Sequence, residues 1–185
     1  MKAPEVLTLV PSHPHWPRQL NERLTTATPS QLWLIGNQEI LGERKIGLFS
    51  SARCPENAIV NGHQAARRLC QEGAAVVSGF HSPLEKECLG IFMEGRQSII
   101  ICVARTLANI RLPKEWQGAI ESGRLLLLSR FQKSRRADKE TARRRNELVA
   151  ALSDEVLIVH AEPGGAVERI SQLIDQWNLP RRECA

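Results

Sequence analysis

Five apolar runs of strand length recur along the chain after residue 45. They cover residues 46–49, 74–77, 98–103, 124–128 and 155–160, and within them apolar residues follow one another without a regular polar alternation. This pattern is typical of strands that are buried on both faces of a parallel sheet, because helices cover both sides of such a sheet. The runs therefore predict an α/β protein with a mostly parallel sheet.

Helical segments are predicted between these runs. They cover residues 56–72, 83–94, 114–122 and 138–152, and a last helix is predicted over residues 165–177. Gly73 and Gly123 each follow one of these segments directly, at the position where glycine often ends a helix. Strand and helix alternate with short connections, which indicates right-handed crossovers and a doubly wound sheet.

The first 45 residues have a different pattern. Residues 11–30 are rich in proline and threonine around an amphipathic stretch at 16–24, and a short apolar run ends at Gly36 and Asn37. We predict a short helical N-terminal lead-in, residues 1–45, packed on a main domain of residues 46–185. The apolar runs are far shorter than the roughly 20 residues of a membrane-spanning helix, and the N-terminus has no apolar leader. We therefore expect a cytoplasmic protein with no membrane partner.

Positive charge is concentrated in one segment. The 185 residues carry a net charge of +5, but residues 130–145 alone contain eight basic and two acidic residues, a net charge of +6, which leaves about −1 for the rest. A local cluster of cations is typical of a site for a polyanion, and a solvated loop and helix face is the alternative. The five cysteines are scattered without a Cys-x-x-Cys pair, so we expect no disulfide framework. His13 and His15 have no thiol or carboxylate nearby in the sequence, so we expect no metal, and without a glycine fingerprint we expect no cofactor.

Ligands of a doubly wound sheet bind outside the carboxyl ends of its strands, so the loops after the runs are the candidate site. Helix N-termini, hydroxyl groups and arginine side chains can together hold phosphate groups. Outside the basic segment, the loops after the first, second and fifth runs offer Ser50, Ser51, Arg53, Ser78, Gly79, Gly164 and Gly165. Each loop alone is a weak signal, because serine and glycine also cap helices. We predict that together they form a phosphate-binding edge.

The basic segment follows the fourth run and extends this edge. Its predicted phosphate contacts are Arg130, Lys133, Arg135, Arg136 and Arg145. Phe131 is flanked by cations and is a candidate for stacking on a base, an interaction of roughly 1–3 kcal/mol, although its ring could instead close the core. The sequence supports no catalytic triad or carboxylate pair, and it lacks the glycine pattern of a dinucleotide-binding loop. We assign no catalytic residue.

The order of several motifs is similar to that of a known family. These motifs are His15-Trp16-Pro17, residues 32–37, Phe49-Ser50-Ser51-Ala52-Arg53, Val77-Ser78-Gly79, residues 123–129, and residues 145–153, which begin Arg145-Asn146-Glu147. Together they resemble the DNA-processing protein A (DprA, also called Smf) family of bacteria.

The resemblance implies a Rossmann-like domain that binds single-stranded DNA in DNA processing, uptake and recombination. It also implies a RecA-type recombinase as protein partner, a role in natural transformation, and a homodimer. The positions that match the family's motifs are Ser50, Ser51, Arg53, Ser78, Gly79, Arg145 and Asn146. The resemblance therefore assigns DNA or phosphate contacts to these seven residues.

Two other functions fit the same sheet. The LOG-type nucleoside monophosphate phosphoribohydrolases carry a Pro-Gly-Gly motif followed by glutamate, and Pro163-Gly164-Gly165 with Glu168 resembles the start of that motif. A non-catalytic nucleotide-sensing module could use the same loops for one small phosphorylated ligand. We predict a single-stranded DNA-binding protein, with these two as alternatives.

Overall fold

The computed structural model describes residues 4–184, so Met1, Lys2, Ala3 and Ala185 lie outside the described residues, and with them most of the N-terminal segment on which the expectation of no leader rests. The strands are β1 (Leu7–Leu9), β2 (Leu32–Gly36), β3 (Lys45–Ser50), β4 (Ala75–Ser78), β5 (Ile99–Cys102), β6 (Leu125–Ser129), β7 (Glu155–His160) and β8 (Arg181–Arg182). The helices are α1 (Gln19–Leu24), α2 (Glu56–Glu72), α3 (Pro83–Glu94), α4 (Lys114–Glu121), α5 (Lys139–Leu152) and α6 (Ala166–Gln176), with 3-10 turns at Thr25–Ala27 and Gln38–Gly42.

One mixed, mostly parallel sheet contains all eight strands, in the order β1-β2-β6-β5-β4-β3-β7-β8. The six strands from β6 to β8 in this order are parallel, and β2 pairs antiparallel with β6 and with β1. The five predicted strands are β3 to β7, and the five predicted helices are α2 to α6. The predicted fold class is confirmed.

Two apolar layers cover the sheet because the strand side chains alternate between its faces. In β5, Ile99 and Ile101 face the layer of α2, α3 and α4, whereas Ile100 and Cys102 face the layer of α1, α5 and α6. All four side chains are at most 2% exposed. Burial on both faces explains why the apolar runs are continuous in the sequence.

The segment before residue 45 contributes more than the predicted short helix. It contains α1, and it also adds β1 and β2 to the sheet next to β6. Arg23 of α1 donates hydrogen bonds to the carbonyl oxygens of Ala151 (2.9 Å) and Ser153 (2.6 Å) at the end of α5. Trp16 and Leu20 are buried in the same layer as α5.

The chain reverses its direction across the sheet at the boundary between β3 and β7. The crossovers from β3 to β6 place α2, α3 and α4 on one face, and α5 and α6 lie on the other. The loops after β3, β4, β5, β6 and β7 all leave the same edge, since these strands are parallel; we call it the carboxyl edge. No helix within residues 4–184 has the length and apolar content required to cross a membrane.

Candidate nucleic-acid interface

Two cavities adjoin at the carboxyl edge and share the side chain of Arg105. One has a volume of about 430 Å³ and lies between the loops after β4 and β5 and the start of α5. The other, about 710 Å³, lies between the loops after β5 and β6. The polar and glycine residues that line them and matter here are Gly79, Arg105, Asn109, Gln132, Lys133, Arg135, Asp138, Lys139 and Arg145. We call the two cavities together the carboxyl-edge groove.

Hydrogen bonds between loops give the groove its shape. The backbone N–H of Thr106 donates to the carbonyl oxygen of Ser134 (2.7 Å), which joins the loops after β5 and β6. The hydroxyl of Ser129, fully buried at the end of β6, donates to the carbonyl oxygen of Arg105 (2.6 Å). Arg105 is thereby held at the junction of the two cavities.

Positive charge dominates the lining of the groove. Arg105, Lys133, Arg135 and Lys139 are exposed, and within residues 4–184 their side chains form no hydrogen bond or ion pair. The acidic lining residue, Asp138, accepts hydrogen bonds from the backbone N–H (2.7 Å) and hydroxyl (2.9 Å) of Thr141 and so caps α5. These bonds lower the pKa of Asp138 and keep its carboxylate directed at the helix end.

Arg145 is the buried cation of the groove. Its side chain projects from α5 against the loop after β4, and the residue is only 6% exposed. Within the described part of the chain it forms no ion pair, and its Nε atom is buried without a hydrogen-bond partner. Burial lowers the pKa of the guanidinium, while the carboxylate of Glu85 acts in the opposite direction. A buried cation without hydrogen bonds is costly, so this site favours an anionic ligand.

Gly79 makes room for this guanidinium. A methyl group at the Cα of Gly79 would lie 1.9 Å from Nη1 and 2.2 Å from Cζ of Arg145. Any larger residue at position 79 would therefore displace the arginine. The Gly-Arg contact joins two motifs that are 66 residues apart in the sequence and that the resemblance assigned to phosphate binding.

Four of the predicted site residues lie in the groove: Gly79, Lys133, Arg135 and Arg145. Arg136 is exposed in the same loop without lining either cavity, and Asn146 is half-buried next to Arg145 on α5. Lys139, Arg105 and Glu85 were missed by the sequence reasoning. Arg105 follows the third apolar run by two positions, so the carboxyl-edge rule applied to every loop could have found it.

Arg130 and Phe131, two predicted contacts, point into the protein. Arg130 is 8% exposed and donates a hydrogen bond to the carbonyl oxygen of Ala27 (2.5 Å), and burial lowers the pKa of its guanidinium to about 10. Phe131 is 7% exposed, and its backbone N–H donates to the Ser129 hydroxyl (3.0 Å). The arginine ties the loop to the N-terminal segment, and the ring closes the core as in the alternative interpretation of the sequence.

The predicted serine contacts are also buried. Ser78 is fully buried and its hydroxyl accepts from the backbone N–H of Phe80 (3.2 Å). The Ser51 hydroxyl accepts from the backbone N–H of Glu162 (2.8 Å), and the Ser50 hydroxyl lies 2.9 Å from the Cys54 thiol. In this structure the three hydroxyl groups shape the loops.

The remaining predicted residues lie near the β3–β7 boundary, away from the groove lining. Arg53 is exposed and forms an ion pair with Glu162 (2.5 Å). Gly164 has a φ of +71°, and its backbone N–H donates to the Glu168 carboxylate (2.7 Å). Gly165 precedes the first residue of α6. In this part of the edge, the charge of Arg53 is therefore neutralised by the acidic side chain of Glu162.

The basic segment does not form one continuous patch. Arg143 forms ion pairs with Glu140 (2.6 Å) and Glu147 on the side of α5 that faces away from the groove. Arg144 lies 4.0 Å from Glu140 on the same side. Helix α5 therefore separates two neutralised arginines from the unpaired Arg145, because adjacent helix positions point about 100° apart.

Among residues 4–184, no group of three or more histidine, cysteine or acidic side chains is arranged to hold a metal ion. The fold and the groove define a class: a doubly wound α/β protein with an electropositive groove across the carboxyl ends of its central strands. Proteins of this class bind phosphorylated ligands or nucleic acid at that edge.

Comparison with known proteins identifies the family within this class. The sequence profile of the family described as DNA recombination-mediator protein A matches residues 7–176. The chain belongs to this family. Comparison with curated proteins gives no match.

Solved structures share the fold. DNA processing protein A from Helicobacter pylori, described for its single-stranded DNA binding mode, is 22% identical with a TM-score of 0.77, covering 98% of this chain and 81% of that one. DNA processing protein A (DprA) from Streptococcus pneumoniae is 18% identical with a TM-score of 0.73, and the match covers 91% of this chain and 60% of that chain. A molybdenum cofactor binding protein from Rippkaea orientalis is more distant, at 11% identity and a TM-score of 0.54 over 75% of this chain and 74% of that one.

Proposed function

We propose that this protein binds single-stranded DNA along the carboxyl-edge groove and acts in DNA processing, uptake or recombination. The observation that carries the proposal is Arg145, a buried guanidinium that lies against Gly79 without an ion pair among the described residues. A phosphate group supplies the anion and the hydrogen-bond acceptors that this cation lacks. Membership of the family and the likeness to a DNA processing protein described for its binding of single-stranded DNA support the same ligand.

The shape of the groove favours a flexible single strand. Arg145 lies at the bottom of a recess, whereas Arg105, Lys133 and Arg135 are exposed above it along the second cavity. A single strand can bend one phosphate into the recess while its neighbours contact the exposed cations. A duplex holds its phosphates in a fixed helical array, which cannot follow such a change in depth.

Recognition is expected to depend on the phosphate backbone. Phe80 and Phe131 are both buried, so among the described residues the one aromatic ring in the groove lining is the exposed imidazole of His81. With a single imidazole available for stacking, base contacts contribute less than the phosphate contacts of the cations, and affinity should vary little with base sequence.

Fluorescence anisotropy with a labelled single-stranded oligonucleotide tests the proposal. Arg135→Glu places a negative charge in the groove and should weaken binding to all sequences alike. Arg96→Glu is the matched control, because Arg96 is exposed in the loop before β5, at the opposite edge of the sheet. Equal affinities for the two variants, or tighter binding of duplex than of single strand, would overturn the proposal.

The two alternatives have weaker support. In the structure the Glu168 carboxylate accepts a hydrogen bond from the backbone N–H of Gly164, so one of its oxygens is engaged in holding the loop before α6. We expect no release of free base when AMP is incubated with the protein. A nucleotide-sensing module would retain a small phosphorylated ligand through purification, which mass spectrometry of the purified protein would detect.

A homodimer is proposed as the state in solution. Strand β1 is one of the two edge strands of the sheet, and Leu7 within it and Val6 and Val10 on either side of it are 36–37% exposed. An edge strand with exposed apolar residues can pair with a second copy of itself. Light scattering after size exclusion should give twice the monomer mass, and Leu7→Lys should shift it toward the monomer.

The resemblance to the family is the basis for two further proposals. A RecA-type recombinase is proposed as protein partner, and the cytoplasm as the location. Co-purification of a RecA-type protein with this chain in the presence of single-stranded DNA, and fractionation of cells, test them.

A further inference from the structure

A buried carboxylate lies beneath the groove and belongs to none of the predicted contacts. Glu85, in the first turn of α3, is 7% exposed. One oxygen accepts from the backbone N–H of Ser50 (3.0 Å), and the other from those of His81 (2.8 Å) and Ser82 (3.2 Å). A single side chain therefore joins the last residue of β3 to the loop after β4.

The loop after β4 needs this support. Phe80, between Gly79 and His81, has a φ of +45°, in the left-handed region that bulky residues rarely adopt. Its ring is anchored in the core against Phe92, with ring centroids 6.2 Å apart. The bonds from His81 and Ser82 to Glu85 hold the backbone directly after the strained residue, and so hold Gly79 directly before it.

The carboxylate of Glu85 also attracts the guanidinium of Arg145 electrostatically, but within the described residues the two groups do not form an ion pair. The carboxylate oxygens are engaged by three backbone N–H groups, so they are not free to contact the guanidinium. Arg145 thus has a counter-charge at a distance and keeps its own hydrogen-bond donors for a ligand.

We infer that Glu85 is a positioning residue for phosphate binding: it fixes the loop that carries Gly79 and thereby holds the guanidinium of Arg145 in place for a phosphate of the bound strand. The inference rests on the proposed function. Glu85 would act on DNA binding by way of Arg145. The effects of substituting these two residues on DNA affinity should therefore be non-additive, whereas the effects of substituting Glu85 and Arg135 should be additive. A residue that served stability alone would be coupled to neither.

Double-mutant cycles test this coupling with anisotropy titrations of a single-stranded oligonucleotide. Glu85→Gln keeps the size of the side chain but puts an NH₂ group against backbone N–H donors, and we expect it to weaken binding about tenfold. Arg145→Met removes the charge at nearly constant volume. In the Arg145→Met background, Glu85→Gln should cost less than about twofold in affinity. In the Arg135→Ala background it should again cost about tenfold.

Glu87→Gln is the matched control. Glu87 is on the same helix, is exposed, and pairs with His63 (2.7 Å) on the outer surface. It should bind the oligonucleotide like the unmodified protein. If Glu85→Gln does not give a cooperative thermal transition, Glu85→Asp replaces it in the cycle: it keeps the charge but is one methylene too short to reach both Ser50 and the loop after β4. The same coupling to Arg145→Met is expected.

The outcomes separate this inference from the proposed function. Suppose that Arg145→Met and Arg135→Ala both weaken binding, but the Glu85 variant lowers affinity by the same factor in each of these backgrounds. The inference is then overturned and the proposed function stands. A Glu85→Gln protein that binds like the unmodified protein likewise overturns the inference and leaves the proposed function intact. If neither arginine variant weakens binding, the proposed function fails and the inference fails with it.

Discussion

At the scale of single residues, the proposed site depends most on the contact between Gly79 and Arg145. It joins the glycine directly after β4 to a guanidinium that forms no ion pair within the described chain and whose Nε has no hydrogen-bond partner there. The glycine is needed for its missing Cβ, since a methyl group there would overlap the arginine.

Gly79→Ala should therefore displace the guanidinium and weaken binding of single-stranded DNA about ten- to hundredfold, the value of one or two charge-assisted hydrogen bonds. Gly90→Ala is the matched control, because Gly90 lies on the exposed side of α3 and an added Cβ would contact nothing within 4 Å. Anisotropy titrations of both variants measure the difference. Equal affinity of the two proteins would show that Arg145 does not contact the strand.

A substitution of Phe131 distinguishes two roles of its ring, packing in the core and stacking on a base. Because the ring is buried, Phe131→Leu should lower the free energy of unfolding by on the order of 1 kcal/mol and leave the affinity for DNA unchanged. Urea unfolding and anisotropy titration measure the two effects. A large loss of affinity with unchanged stability would instead support the stacking interaction that the sequence suggested.

At the scale of elements, ion pairs attach the last short strand to the sheet. Arg182 of β8 binds Glu155 of β7 (2.5 Å) and Glu72 at the end of α2 (2.7 Å), and Glu155 also pairs with Arg44 (2.6 Å). These cations, Arg182 foremost, lower the pKa of Glu155 below its ordinary value of 4.5. The carboxylate contributes stability when it is ionised.

The sign of the pH effect follows from this shift. The contribution of Glu155 is fully present above pH 4.5 and is lost as the pH falls through its lowered pKa in the folded protein. Glu155→Gln should therefore be less stable than the unmodified protein at neutral pH and approach it in acid. Thermal melts across this range measure the difference, with the exposed Glu121→Gln as control. A stability difference that does not change with pH would contradict this assignment.

Elements of the central sheet could be predicted from the sequence because burial on both faces leaves a local pattern. The strands β1 and β8 could not, because they are three and two residues long and depend on pairing with distant partners. Within the site, the helix period already places Arg145 on the face of Leu148, Val149 and Leu152, so its burial could have been predicted. The burial of Arg130 could not, since it depends on a contact with Ala27, 103 positions away.

At the scale of the whole molecule, the distribution of charge matters more than its total. The sequence places a net +6 in one segment, but folding divides it into paired arginines on the outer side of α5, a buried Arg130, and the cations of the groove, which are the buried Arg145 and its exposed neighbours. Arg105, which lies outside that segment, joins the last group. The electropositive surface is thus a product of the fold, and the central claim is that these groove cations bind the phosphates of a single strand.

The salt dependence of binding tests that claim most directly. Each phosphate neutralised on a single strand contributes a slope of about −0.7 to log K against log salt, so three contacts lower affinity about twentyfold between roughly 50 and 200 mM salt. We predict at least this decrease for the unmodified protein, and a slope shallower by about 2 when Arg105, Lys133 and Arg135 are all changed to alanine. Binding that is independent of salt, or an unchanged slope in the triple variant, would contradict the account.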